Sequence, residues 1–220
     1  MVIVGLTGSV AMGKSTAARA FRRLGIPVHD ADAAVRRLLA EDAPALARIE
    51  KAFPGTVKNG AADRAALAAR VFADTGALKR LEAILHPLVR RGTRAFLAQA
   101  ARRRERIVVL DVPLLYETGG DRGCDTVVVV RAPTFLQSMR FLARPGMTPA
   151  RLAATRARQT PVREKLRRAD VVIQTGLDRG FSFRRIAAIV AKLRRGKMRG
   201  RAWRPGWPRS RGRIDGRKRP

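Results

Sequence analysis

The 220-residue chain predicts an α/β fold: a three-layer sandwich whose five-stranded parallel sheet is covered by helices on both faces. Two observations carry this. Five short runs, residues 2–6, 26–29, 106–110, 126–130 and 171–173, are nearly continuous in apolar, largely β-branched residues, the pattern of strands buried on both faces. Segments of helical period separate them, so the connections are crossovers and the strands run parallel. An apolar content of 46% over this length suffices for one real core with a smaller appended lobe.

The elements follow in order. Gly13-Lys14-Ser15-Thr16 opens a helix after the first strand, and Gly25 stops it past Leu24. The second strand is expected to neighbour the first. It ends at Asp30-Ala31-Asp32, which heads the next helix, where carboxylates suit the N-terminus. Residues 43–101 are predicted to be mostly helical. Leu46, Ile49 and Phe53 share one face, as do Leu81, Ile84, Leu85, Leu88 and Val89, and Pro87 is expected to kink or break that second helix. The third strand ends in Asp111-Val112-Pro113 and the fourth at Ala132-Pro133. Two or three helices are expected between Thr134 and Arg168. The fifth strand is closed by Gly176, and a last helix covers about Phe181 to Leu193. Residues 194–220 differ in texture: 12 Lys and Arg, one acid (Asp215), repeated Gly and Pro, Trp203 and Trp207, and no apolar period. They predict a disordered basic tail. The chain carries no internal repeat.

Formal net charge is +30, with 47 Lys and Arg against 17 Asp and Glu. Such a balance favours polyanionic partners: nucleic acid, anionic lipid or phosphorylated small molecules. Arginine supplies 39 of the 47 cations and is spread along the chain, which equally fits a generally basic composition with solvated faces. The single cysteine, Cys124, excludes an intrachain disulfide. It lies in a Gly-rich loop without a catalytic partner in the sequence. No apolar run approaches the roughly 20 residues of a membrane helix, and no positive n-region precedes the first apolar stretch. A cytoplasmic protein is expected.

The chemistry begins at residues 8–15. Gly8-Ser9-Val10-Ala11-Met12-Gly13-Lys14-Ser15 matches G-x-x-x-x-G-K-[ST], between a buried strand and a helix. This context identifies a phosphate-binding P-loop. Loop N–H groups and the helix N-terminus can receive phosphates. Lys14 can reach the β- and γ-phosphates, and the Ser15 hydroxyl can ligate Mg2+. The alternative is a plain turn with a solvated lysine. A P-loop alone does not separate a GTPase, an ATPase motor and a small-molecule kinase.

Further residues narrow the choice. Gly5-Leu6-Thr7-Gly8 leads into the loop, and Leu24-Gly25-Ile26-Pro27-Val28-His29-Asp30-Ala31-Asp32 follows it. Then come Asp63-Arg64, Val71-Phe72, Leu81-Glu82-Ala83-Ile84-Leu85-His86-Pro87 and Asp111-Val112-Pro113-Leu114-Leu115-Tyr116-Glu117. Gln137, Arg140, Arg144, Gln159, Lys165 and Ala169-Asp170 complete the series. In this order the set resembles the dephospho-CoA kinases. The resemblance runs from Val4 to about Gly176.

The resemblance implies a fold like the nucleoside-monophosphate kinases within residues 1–193, with a helical substrate lobe at about 43–101 and a mobile lid at about 137–165. It implies transfer of the γ-phosphoryl of ATP to the ribose 3′-hydroxyl of dephospho-CoA, giving coenzyme A and ADP, the last step of coenzyme A synthesis. Residues 8–16 (Gly8, Ser9, Val10, Ala11, Met12, Gly13, Lys14, Ser15 and Thr16) would bind ATP, Lys14 would serve in catalysis, and Asp32 would be the base at the sugar hydroxyl. Asp32, His86 and Asp111 form the candidate acceptor-binding set, and Ser15 and Asp111 the candidate Mg2+ ligands.

Elementary chemistry supports the same residues. Phosphoryl transfer is mostly positioning and charge neutralisation, and open α/β sheets bind ligands at the carboxyl ends of their strands, where Asp30, Asp32 and Asp111 stand. The alternatives are helix-capping acids for the first two, a loop aspartate for Asp111 and a structural histidine for His86. Arg140 and Arg144 are four apart, so one helix face presents both to one polyanion. Arg151, Arg156 and Arg158 carry less signal and read more readily as solvated. The chain departs from the family pattern at Ser9 and Ala11, where glycine is usual, at Tyr116, where Phe is common, and at Gln174, near a common Asn. A positive φ at Ala11 would strain the loop. The basic tail lies outside the family pattern.

Two other functions fit parts of the chain. One is a kinase of another nucleoside or nucleotide hydroxyl, against which the Asp-Ala-Asp, His-Pro and Asp-Val-Pro-Leu-Leu series argues. The other is a basic P-loop protein that binds nucleic acid through its tail; the sequence contains no recognisable nucleic-acid module.

Overall fold

The computed structural model describes residues 1–196, the side chains of Phe72 and Ala73 excepted; the stretch from residue 197, with the tail's expected polyanion contacts, lies outside the described residues. In chain order the elements are β1 (Val2–Thr7), α1 (Lys14–Arg23), β2 (Val28–Asp30), α2 (Ala31–Glu41), α3 (Ala43–Ala52), β3 (Val57–Lys58), β4 (Ala61–Ala62), α4 (Arg64–Ala73) and α5 (Thr75–Arg102). They continue with β5 (Ile107–Asp111), a 3₁₀ turn at Gly120–Gly123, β6 (Thr126–Arg131), α6 (Thr134–Leu142), α7 (Pro149–Ala157), α8 (Val162–Arg168), β7 (Val171–Gln174) and α9 (Arg179–Arg194).

The five longer-range strands form one parallel sheet in the order β2-β5-β1-β6-β7. The apolar runs explain it. Val128 and Val130 face a cluster made with Phe21 of α1 and Ile186 and Val190 of α9. Val127 and Val129 face the opposite cluster with Leu115 and Tyr116. Alternate residues of one strand thus feed two apolar layers, which requires helices on both faces. Phe21 is fully buried, a burial that contributes about 1.5–3 kcal/mol.

Two expectations are corrected, and a third, that residues 43–101 are mostly helical, holds with one interruption. β2 does not neighbour β1: β5 lies between them, pairing Leu6 with Asp111 and Asp30 with Asp111. The long excursion through α2–α5 returns the chain to the middle of the sheet, so Asp111, not Asp30, stands beside the P-loop strand. The helical stretch 43–101 is interrupted by the β3–β4 hairpin, whose turn residues Asn59 and Gly60 have φ of +50° and +76°. That is the two-residue turn that an Asn-Gly pair favours. Finally, α5 runs unbroken through Pro87. The ring removes the hydrogen bond to the Ala83 carbonyl, but Ala83 and Pro87 are both exposed, so water can take that carbonyl.

The helical excursion has its own core. Ile49 and Phe53 of α3 pack with Leu67 of α4 and Ala77, Leu81 and Leu85 of α5. These are the helical-period residues of the sequence, gathered beside the carboxyl end of β2. Among the described residues, no helix is long and apolar enough to cross a membrane.

Candidate active site

β1 delivers the loop 8–13 to the carboxyl edge of the sheet. A Cβ at Gly8 would strike Val130 Cγ2 and lie 3.0 Å from the Val130 carbonyl oxygen, so only glycine lets the loop leave the sheet there. Gly13 has φ +82° and begins α1 with no side chain capping the helix and no acid in its first turn. The N-terminal N–H groups and the dipole of α1 are therefore presented to a ligand, the arrangement that favours an anion.

Lys14, Ser15 and Thr16 line a cleft of about 420 Å3 together with Ala11, Gly13, Arg140, Arg144 and Thr175. Arg140 and Arg144 do converge there, although Arg144 lies just past the C-terminus of α6 rather than on it. Arg140 Nη2 donates to the Thr175 carbonyl at 3.0 Å, and the Arg144 guanidinium lies 6.0 Å from the Phe141 ring centroid. Ala11 has φ +58°, the left-handed region that costs an L-residue about 1–2 kcal/mol.

On the other side of the sheet edge lies a larger, mostly apolar cavity of about 830 Å3. Asp32 and Val35 of α2, His86, Val89, Thr93 and Leu97 of α5, and Val112 to Leu115 after β5 line it. Asp30 accepts from Ala33 N at 2.9 Å as the N-cap of α2. Asp32 is exposed on the first turn of the same helix, so it is the carboxylate turned toward the cavity. His86 is half-buried in the cavity wall.

Asp111 sits between the two spaces. Its carboxylate is 4% exposed and 2.6 Å from Lys14 Nζ. Burial pushes the Asp111 carboxyl above the usual range; the Lys14 ammonium opposes this, and Asp30 and Asp32 add to the rise. Three carboxylates thus share the end of two adjacent strands with one lysine, a concentration of negative charge that suits a cation. Among the described residues no group of three or more His, Cys, Asp or Glu could hold a metal by itself. One buried carboxylate and the Ser15 hydroxyl match the donor set of Mg2+, which keeps waters and substrate phosphates as its other ligands.

Other side chains around the loop were given no role at the site by the sequence, although Gln137, Gln159, Lys165 and Glu117 belong to the series quoted above. Gln137 and Gln159 hydrogen-bond to Val10, and Arg156 donates to Gln137 Oε1 at 2.7 Å, so Arg156 is not simply solvated. Thr175 donates to Met12 O at 2.6 Å; a threonine after a strand has no recognisable pattern. Lys165, 1% exposed, pairs with Glu117 at 2.8 Å. Burial alone would raise the Glu117 carboxyl, but Lys165 and the Thr160 N–H more than reverse it, holding it below the usual range. Cys124 makes no site. Burial pushes its thiol up to about 12, and Asp121, Asp125 and Asp170 add to the shift, which leaves an inert thiol.

A phosphate loop and two converging arginines on one side of a buried carboxylate, with a mostly apolar cavity on the other, define a P-loop kinase. The family model for dephospho-CoA kinase matches residues 2–178. A dephospho-CoA kinase of Paramagnetospirillum magneticum is 61% identical over 165 residues, covering 75% of this chain and 78% of that one. One from Rhodospirillum rubrum is 54% identical over 207 residues, 93% of this chain and 96% of its own. Among solved structures, TT1252 from Thermus thermophilus covers 87% of this chain and 97% of that chain at 34% identity, with TM-score 0.75. The dephospho-CoA kinase from Campylobacter jejuni covers 89% and 98% at 26% identity, with TM-score 0.67. The chain belongs to the dephospho-CoA kinase family.

Proposed function

We infer that the protein phosphorylates dephospho-CoA with ATP, at the ribose 3′-hydroxyl, giving coenzyme A and ADP. The observation that supports the residue assignment is the Lys14–Asp111 pair, 2.6 Å long, at the junction of the polar cleft and the apolar cavity. ATP phosphates fit the cleft of Lys14, Arg140 and Arg144; the long, weakly charged arm of the acceptor fits the cavity. The 3′-oxygen attacks the γ-phosphorus, its proton passes to the Asp32 carboxylate, and the bond to the β–γ bridging oxygen breaks as ADP leaves. Lys14 neutralises charge on the β- and γ-phosphates as that bond opens. Ser15 and Asp111 would hold Mg2+, which offsets phosphate charge when bound. His86 contacts the acceptor from the cavity wall. In this reading residues 43–101 form the substrate lobe and residues 137–165 the lid of a catalytic unit spanning 1–193, and the protein works in the cytoplasm.

The test supplies purified protein with Mg-ATP and either dephospho-CoA, adenosine or a nucleoside monophosphate, and follows ADP release together with product mass. Coenzyme A formation from dephospho-CoA alone is expected; faster turnover of a simple nucleoside would assign a different acceptor. Polyanion attachment through residues 194–220 is a separate proposal, supported by 12 cations against one acid. Heparin retention of the full chain should exceed that of a chain ending at Leu193 and fall more steeply with salt; equal retention rejects it.

A further inference from the structure

The phosphate loop is gripped on both sides of Ala11 by side chains that lie far away in sequence. Gln137 of α6, 2% exposed, donates Nε2–H to Val10 O at 2.9 Å. Gln159, between α7 and α8, accepts Val10 N–H on Oε1 at 3.1 Å. Thr175, just past β7, donates to Met12 O at 2.6 Å. The orientation of Gln137 is fixed by chemistry. Its Oε1 accepts from Arg156 Nη2 at 2.7 Å and Nε at 3.2 Å, and Arg has only donors. The amide nitrogen must therefore face the Val10 carbonyl. Between the gripped residues, Ala11 holds φ +58°, a conformation that glycine adopts freely and an L-residue resists.

We propose that Gln137, Gln159 and Thr175 are positioning residues for nucleotide binding: they hold the loop in its phosphate-receiving shape by locking Val10 and Met12 around a left-handed Ala11. Ala11 cannot swing out of the left-handed region without rotating the flanking peptide that carries Val10 O or displacing the next peptides, which carry Val10 N–H and Met12 O, and either strains the three bonds. A glycine at 11 would keep the shape with less help. Two of the three grips come from the α6–α8 segment and one from the core, so the seating of that segment and the shape of the loop are a single equilibrium. This inference rests on the reading of residues 8–16 as the ATP site.

The experiment measures the ATP dissociation constant by calorimetry, and KM for ATP and kcat by ADP release, in the full-length protein. Gln137→Glu keeps, and charges, the partner of Arg156 but sets an oxygen against Val10 O. It should raise Kd and KM for ATP about tenfold, on the scale of a lost buried hydrogen bond, with kcat at saturating ATP changed much less. Gln159→Leu should act in the same direction, and Gln159→Glu, which keeps the acceptor, should recover most of that loss. Adding Ala11→Gly to either damaged variant should restore most of the ATP affinity, whereas a merely structural role for the glutamines would leave Ala11→Gly without effect. Wild-type ATP affinity in Gln137→Glu and Gln159→Leu overturns the proposal, as does absence of rescue by Ala11→Gly. A variant that fails to fold counts against it if Ala11→Gly does not restore folding as well. Lys14→Ala is run in parallel. If Lys14→Ala loses ATP while the glutamine variants keep it, the clamp alone is refuted. If Lys14→Ala binds ATP like the wild type, the ATP-site reading fails and takes the clamp with it.

Discussion

On one side of Asp111 the protein offers a polar cleft of about 420 Å3; on the other, an apolar cavity of about 830 Å3. The first is built around one short stretch, Ala11 and Gly13 to Thr16, closed by Arg140 and Arg144 and by five residues between Thr175 and Ser182. The second draws Asp32, His86, Thr93, Val112 and Arg151 from four separate parts of the chain. The difference matches what each side is proposed to bind. Phosphates are recognised alike by any ring of N–H groups, so one turn of backbone suffices. An acceptor with a long, mostly uncharged arm needs shape, and shape is assembled from distant side chains.

The comparison breaks most visibly at Asp32, the acceptor-side group assigned to the chemistry itself. Asp32→Asn keeps the shape and removes the basic oxygen. We expect kcat to fall by roughly 10²–10⁴, with ATP affinity nearly unchanged. Unfolding measurements alongside the kinetics decide the matter: a variant that loses stability but keeps kcat would make Asp32 a helix-start carboxylate like Asp30.

On the phosphate side the largest effect is expected at Lys14. Lys14→Ala should depress turnover by on the order of 10². It also removes the partner of a buried Asp111 carboxylate, whose carboxyl is already pushed up by burial. The variant's Asp111 should therefore ionise less readily. Turnover that persists in a folded Lys14→Ala protein would reject the phosphate-side assignment, and with it the division of labour across Asp111.

These two sides were unequally legible in the sequence. Residues 8–15 announced themselves, because a backbone-built site must be contiguous. Asp32 and His86 were found through a resemblance running from Val4 to about Gly176, since no local pattern marks a cavity wall. The sheet order was missed at β2: an apolar run reports that a strand is buried, not which strand lies beside it. The β3–β4 hairpin did have a signal, Asn59-Gly60, but the helical period on either side of it dominated. Nothing in the sequence pointed to Thr175, whose hydroxyl matters only because β7 ends against Met12. For Ala11 the missing glycine raised only the condition that a positive φ would strain the loop; the structure has Ala11 at φ +58°.

A smaller effect should sharpen the boundary between the two sides. Arg140 and Arg144 line the polar cleft and carry charge rather than core packing. Arg140→Ala and Arg144→Ala should each raise KM for ATP by about tenfold, the value of a charge-assisted contact, while melting temperatures shift little. If KM for dephospho-CoA rose instead, the two arginines would belong to the acceptor side.

The smallest expected effect is one of pH, and it belongs to the acceptor side. His29 is 8% exposed on β2, with its ring stacked 5.2 Å from Phe96 of α5. Its Nε2 lies 3.1 Å from Thr93 Oγ1, and Thr93 gives its single hydroxyl proton to Val89 O. The hydroxyl can then only accept from the ring, so the neutral Nε2–H imidazole satisfies the contact. Burial lowers the pKa of His29 below 6.5, and the charge of Arg37 adds to this against a weaker opposing pull from Asp30. The unfolded chain therefore takes up a proton before the folded protein does. The stability that neutral His29 contributes is complete above about pH 6.5. It is lost as the pH falls from there toward the lower folded value, at no more than about 1.4 kcal/mol per pH unit. Because Thr93 lines the acceptor cavity, the loss should appear as a rise in KM for dephospho-CoA over the same interval, with KM for ATP steady. His29→Gln retains a donor for Thr93 without a titrating group. Urea melts of both proteins between pH 5 and 7.5 should show a slope in the wild type that the variant lacks. If the two pH profiles coincide, the tie between β2 and the cavity wall does not depend on the charge of His29, and the acceptor side is as insensitive to mild acid as the phosphate side.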